Sequence, residues 1–358
     1  MQTLKWLGFL MLPVLGCGSA ADLSVPVPAP DYVDNISAAL TSTYSFPGAT
    51  NVALSGSTAY IARGSSLGVL DLKTGSSVSY TIRAHDVAVS GSTVYVLDAV
   101  APGARPDFSN QGGSGSLNVL SFATPTSPSF AAPALRVPVG PFSGIATGGG
   151  RFVVSGGTGL LTAGTFTGAA LSRSFTRDLG TGQPDVTLSA DGTQAYVATD
   201  FDGNTYGITV LNMATGATLD RVTLVSGSSR VLSSPGSAAP ANFAVQSAVV
   251  PGQSTLVAVH PDGMAAIDLT RLDNNAATSP VVRSLTATAL GVLPVHVAVA
   301  GNTAYVVGSS PSPQLVKVQI DTFKVLGRTA LSGTPRGLAV SSTQLVVATG
   351  GGVEVLAP

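Results

Sequence analysis

The side chains best suited to chemistry in this chain are three histidines, His85, His260 and His296, with aspartates close to two of them at Asp86 and Asp262. Imidazole is the commonest ligand of transition metals, and a carboxylate beside it completes many such sites. His85, His260 and His296 with Asp86 are therefore a candidate set for copper or zinc. Three unconnected polar loop residues would give the same pattern, and the sequence leaves both readings open. A second candidate is the run DFDGN, where Asp200, Asp202 and Asn204 place oxygens at alternate positions, as calcium requires of a sharply turning loop. Its glycine comes early for an EF-hand and no bidentate Glu follows, while Asp-Gly-Asn is also a good turn sequence. The segment GSSLG from Gly64 matches G-x-S-x-G, but a nucleophile elbow needs a helix after the serine, and a strand-like run follows here. With Glu354 as its single glutamate, the chain offers no pair of glutamates for glycoside hydrolysis.

These residues must be positioned by a repeated element. DVAVSGSTVYVLD from Asp86 is echoed by NVALSGSTAYIAR from Asn51 and HVAVAGNTAYVVG from His296. First strands of the repeat are expected at Asn51, Asp86, Gly144, Asp185, Phe243, His296 and Gly337. Third strands are expected at Gly68, Leu117, Ile208, Ala265, Leu315 and Val353, with ALSRSF from Ala169 standing in for the third unit. Two-residue alternation around Ser-Gly turns marks hairpins. Each such unit buries its apolar faces only against its neighbours, which is the logic of a radial propeller. The last unit ends at Pro358 without a fourth strand, and residues 41–46 supply a spare one whose context matches the fourth strand near Gly327. The expectation is an all-β, seven-bladed β-propeller closed by an N-terminal strand that completes the last blade. All three histidines then fall on the face that carries the entry into each first strand and the loop between second and third strands. The insertions 98–116, 199–207 and 226–242 fall there too.

Composition agrees. Of 358 residues only 10% are charged, against about 25% in ordinary soluble proteins. The 42 glycines and 23 prolines disfavour long helices and suit short strands with tight turns. The net charge is −1 and no basic run occurs, so the electrostatic footprint of a nucleic-acid binder is missing. Trp6 is the single tryptophan and Cys17 the single cysteine, so no internal disulfide can form.

The N-terminus MQTLKWLGFLMLPVLGCGSA carries one lysine before an apolar run, Trp6 to Leu15, too short to anchor a chain across a bilayer but right for the core of a signal peptide. Val14-Leu15-Gly16-Cys17 resembles a bacterial lipobox. The resemblance implies cleavage before Cys17, acylation there, and, with Gly18 rather than Asp following, sorting to an outer membrane. Residues 1–16 are then a lipoprotein signal peptide, 17–40 the lipidated cysteine and a Pro-rich spacer containing VPVPAP, and 41–358 the propeller. TPRGLAVSSTQLVVATGGGVEVL and QPDVTLSADGTQAYVATDFDGNTYGITVLNMATG resemble bacterial YVTN-type, or surface-layer-protein-like, propeller repeats. That resemblance implies the fold and says little of function, because propellers bind, scaffold and catalyse. The expected role is a cell-envelope lipoprotein, held to the membrane by its lipid, whose propeller binds or scaffolds another surface protein or polymer. The alternative is a copper- or zinc-dependent surface enzyme, superoxide dismutation being one copper chemistry.

Overall fold

A computed structural model of the chain describes residues 40–98, 114–122, 124, 127–138, 144–156, 159–179, 185–200, 205–226, 246–272 and 279–358. These form seven four-stranded antiparallel sheets. The innermost strands are Asn51–Ser55, Asp86–Ser90, Gly144–Gly148, Asp185–Leu188, Gln246–Val249, Pro294–Ala300 and Pro335–Val340. Each touches the innermost strand of the next sheet, and the seventh touches the first, so the sheets are blades of a closed ring. Blades are numbered here in the order of these strands.

Blade seven draws its outer strand, Leu40–Ser45, from the other end of the chain. The register runs Ser42 to Val355, Thr43 to Glu354, Tyr44 to Val353 and Ser45 to Gly352, and the Thr41 hydroxyl donates to the Val355 carbonyl at 2.8 Å. Without it, Gly352–Leu356 would be an exposed sheet edge with unpaired backbone groups.

The core is divided into seven clusters, one per seam between neighbouring blades. At the closing seam, Val52, Ile61 and Leu70 of blade one, with Phe46 from the link between the two blades, pack on Val346, Ala348, Val353 and Val355 of blade seven. Strand side chains alternate between faces, so the second and third strands feed two seams at once, and several read as unbroken apolar runs such as VVAT and LVAV. The inner strands show which way each position faces. Val52, Val87, Val186 and Val297, each second in its repeat, pack against the preceding blade, so residues one position earlier face the following blade.

Two details depart from expectation. In blade three the third strand is Leu160–Phe166, and the segment from Ala169 instead leads into the fourth strand, Leu171–Asp178. The four-residue turn after Phe166 is short, and the apolar residues Leu161 and Ala163 belong to a central strand while Ser172 and Arg173 lie exposed, as an outer strand allows. In blade two, a proline-containing segment that its composition would keep out of a sheet forms an 11-residue outer strand, Pro128–Pro138. Proline is tolerated there because an outer strand leaves one edge of its backbone unpaired.

Candidate functional site

The pairings Asn51 to Ala62, Asp86 to Leu97, Gly144 to Ser155, Asp185 to Ala198, Gln246 to Val259, His296 to Val307 and Gly337 to Ala348 occupy the same place in all seven blades. The first-named residues therefore form one ring at the start of the inner strands, around the upper end of the channel. Five of its members are polar and two are glycines.

Neighbouring blades are tied together through this ring. Asp86 accepts hydrogen bonds from the Asn51 side-chain amide of blade one, from its neighbour Val87 at 2.7 Å and from the Ile145 N–H of blade three at 2.8 Å. Asp185 accepts from the N–H groups of Val186 and of Ser247 in blade five. Gln246 Oε1 lies 2.7 Å from His296 Nδ1. Since the amide oxygen can only accept, Nδ1 carries the proton and Nε2 presents a lone pair. That Nε2 has no partner, and neither has the Ser247 hydroxyl. Ser247 is buried and stands where the other six blades place Val52, Val87, Ile145, Val186, Val297 and Leu338.

Gly144 leaves a notch between two carboxylates. A Cβ at that position would lie 3.6 Å from Asp86 Oδ2, 3.7 Å from Asp185 Oδ1 and 3.3 Å from Ser155 Oγ. Solvent touches Asp185 from the channel, yet protein surrounds the carboxylate closely. Burial first, and the Asp86 charge second, raise its pKa to about 7. Burial also raises Asp86 against the pull of its three hydrogen bonds and of His85. The His296 imidazole is pushed down to about 4 by burial, so it is neutral at pH 7.

The structure does not gather His85, Asp86, His260 and His296 into one ligand set: among the described residues no three His, Cys, Asp or Glu side chains lie close enough to hold a metal ion. The physical reason is their different stations. His85 sits one residue ahead of the ring, its N–H donating to Leu97 O at 2.7 Å and its carbonyl accepting from Thr50 Oγ1 at 3.0 Å. His296 lies inside an inner strand, at the ring position itself, with one nitrogen taken by Gln246. His260 ends the second strand of blade five, buried, with Nδ1 unpartnered and its pKa lowered by burial despite Asp262. Asp98 pairs with Arg83 at 3.1 Å. The proposed calcium residues Asp202 and Asn204, the Asp200 side chain, and Cys17 lie outside the described residues. Ser66 of the GSSLG segment sits in a turn followed by the strand Leu67–Asp71, which is no nucleophile elbow.

Asn51, Asp185, Gln246 and Ser247 were not singled out from sequence. Their signal is the first letter of each repeat, N, D, G, D, H and G. In blade five the ring residue is Gln246, three positions after the expected start at Phe243, which lies outside the described residues.

No protein-family model matches the chain, and no curated protein matches it. Among solved structures it is similar to the Myceliophteria thermophila Cps50 (Swd1) β-propeller domain, at TM-score 0.64 and 12% identity over 90% of this chain and 99% of that one. It is also similar to a chain of the mitotic checkpoint complex, at TM-score 0.62 and 11% identity over 89% of this chain and 94% of that one. At such identity the likeness is one of fold, and the chain is a seven-bladed β-propeller closed by its own N-terminal strand.

Proposed function

We propose that this chain is a cell-envelope lipoprotein whose propeller binds another surface protein or polymer. The carrying observation is the channel ring: a closed seven-bladed scaffold gathers Asp185, Gln246 and His296 at one end, each partly open to solvent. Binding partners are commonly met by residues held on such a scaffold. The lipobox-like Val14 to Cys17 and the Pro-rich stretch after it support attachment by acyl chains at Cys17, an outer-membrane address, and a spacer ahead of the propeller. The YVTN-type motifs fit an envelope repeat protein.

Two measurements test this. Cys17→Ser is expected to move the protein from the detergent-phase membrane fraction to the soluble fraction at high salt; continued membrane partitioning would place the anchor elsewhere. Cross-linking and capture of envelope components by the native lipoprotein should recover a stoichiometric partner, and recovery of none from intact envelopes would remove the binding role.

A further inference from the structure

We propose that the end of the propeller opposite the channel ring is the face turned to a phospholipid bilayer. This rests on the attachment through Cys17 proposed above and adds which surface of the propeller meets the lipid.

Three large apolar side chains lie exposed among the described residues: Phe130 at 63%, Leu40 at 53% and Val282 at 41%. Each sits near the start of an outer strand. Phe130 is third in Pro128–Pro138, Leu40 first in Leu40–Ser45 and Val282 second in Val281–Thr286. Outer strands begin at the end far from the ring. In blade seven Leu40 stands opposite Leu356, itself opposite Leu345, whereas the ring residue Gly337 pairs with Ala348. Phe130 opposite Leu120 and Val281 opposite Ile267 mark the same end of blades two and five.

Single exposed apolar side chains are ordinary on soluble proteins. It is their placement that points to lipid. Blades two, five and seven are three, two and two steps apart around the closed ring. The three side chains therefore surround one end of the propeller and form no patch on one flank. A protein partner buries a contiguous patch, whereas a bilayer is a plane that meets all sides of such an end at once. The chain from Cys17 also enters the propeller at this end, through Leu40. At up to about 3.5 Å per residue, residues 18–39 are long enough to let any face approach the bilayer, so the link permits this orientation and the exposed side chains select it.

The charges of the described turns at this end fit phosphate headgroups. Asp71, Asp191 and Asp268 fold back to accept the N–H groups of Lys73, Thr193 and Thr270 at 2.9, 3.0 and 3.0 Å, and Asp321 is the remaining acid. Lys73, Arg151 and Lys324 enter neither of the ion pairs of the described residues, Arg83–Asp98 and Arg271–Asp268. Three of the carboxylates turn inward while long cationic side chains reach outward, where they can snorkel between phosphates. Turned this way, Asp185, Gln246 and His296 at the opposite end face away from the membrane, toward a partner in the envelope.

The test uses the full chain with Cys17→Ser, which leaves no native cysteine. It is held through an N-terminal hexahistidine on phosphatidylcholine–phosphatidylglycerol vesicles bearing a nickel-chelating lipid. A fluorophore is placed on one introduced cysteine at a time. Ala169→Cys lies in the exposed turn after Phe166 at the far end of blade three, and Ser65→Cys in the exposed turn after Ala62 at the ring end of blade one. Lipid with a nitroxide headgroup is expected to quench the label at 169 at least about threefold more than the label at 65. Combining Leu40→Ser, Phe130→Ser and Val282→Ser should bring that ratio to about one and leave the melting temperature near the parent's, because all three side chains are exposed. Equal or reversed quenching in the parent, or an unchanged ratio in the triple variant, would overturn the proposal. A dimer in sedimentation without vesicles, lost in the triple variant, would assign these side chains to a second copy of the chain and overturn it too. The vesicle tether works whether or not Cys17 is acylated, so the two proposals fail separately. Asymmetric quenching with the natural anchor disproved leaves the lipid-facing surface standing, and a confirmed anchor with symmetric quenching refutes it.

Discussion

Replacing Asp185 by Asn should stabilise the protein at alkaline pH and do little at acid pH. The folded-state pKa is raised from 3.8 to about 7, so the folded protein holds this proton more tightly than the unfolded chain. The stability linked to that proton is fully present below pH 3.8 and is lost as pH rises through about 7. At about 1.36 kcal/mol per pKa unit, the shift corresponds to about 4 kcal/mol at the limit, and solvent in the channel reduces it to about 2 kcal/mol. Asparagine keeps an oxygen for the N–H groups of Val186 and Ser247 and brings no charge, and it relieves Asp86 of its like-charged neighbour. The other buried titrating member of the ring works in the opposite sense. His296, lowered from 6.5 to about 4, contributes stability above pH 6.5 that is lost as pH falls toward 4. It is present in both proteins and cancels in the difference. Urea unfolding of parent and variant at pH 5.0 and 8.5 measures that difference, with unchanged slopes confirming that the denatured states match. The expected outcome is a variant more stable by about 2 kcal/mol at pH 8.5 and within about 1 kcal/mol of the parent at pH 5. An equal difference at both pH values would refute the claim that Asp185 is desolvated and opposed by Asp86.

Two further outcomes follow from the ring and its closure. Removing residues 18–36 should leave the melting temperature unchanged, whereas removing 18–47 unpairs Gly352–Leu356 and strips Phe46 from the closing seam. At ~1 kcal/mol per net backbone hydrogen bond, plus the apolar area bared, that costs several kcal/mol; equal melting of both proteins would show that the ring does not depend on this strand. Gly337→Ala should destabilise by about 2–3 kcal/mol, since its Cβ would meet Asn51 Oδ1 at 2.5 Å and Asn51 Cα at 2.7 Å, and thermal melts beside Gly144→Ala, whose Cβ would meet nothing closer than the Ser155 hydroxyl at 3.3 Å, should show the smaller loss there.

The repeat made the fold legible in the sequence. Alternating apolar residues around Gly turns dictate hairpins through local backbone and burial preferences alone, and the missing fourth strand at Pro358 with the spare strand at residues 41–46 required closure. Blade three was misread at Ala169 because its third strand, LLTAGTF, breaks its apolar run with threonines and a glycine, and the pairing with Leu160–Phe166 makes LSRSFTRD the outer strand. The site was legible in part. Sequence drew attention to His85, Asp86, His260 and His296 by residue type, and Asp86 and His296 do belong to the ring. It could not say that Asp185, ninety-nine residues from Asp86, shares Gly144's notch with it, nor that Ser247 is the one hydroxyl among seven equivalent positions. Those facts arise from radial closure, which brings the first residue of each distant repeat to a common channel. There, burial and neighbouring charge, which no local stretch encodes, set whether each side chain is charged, paired or free.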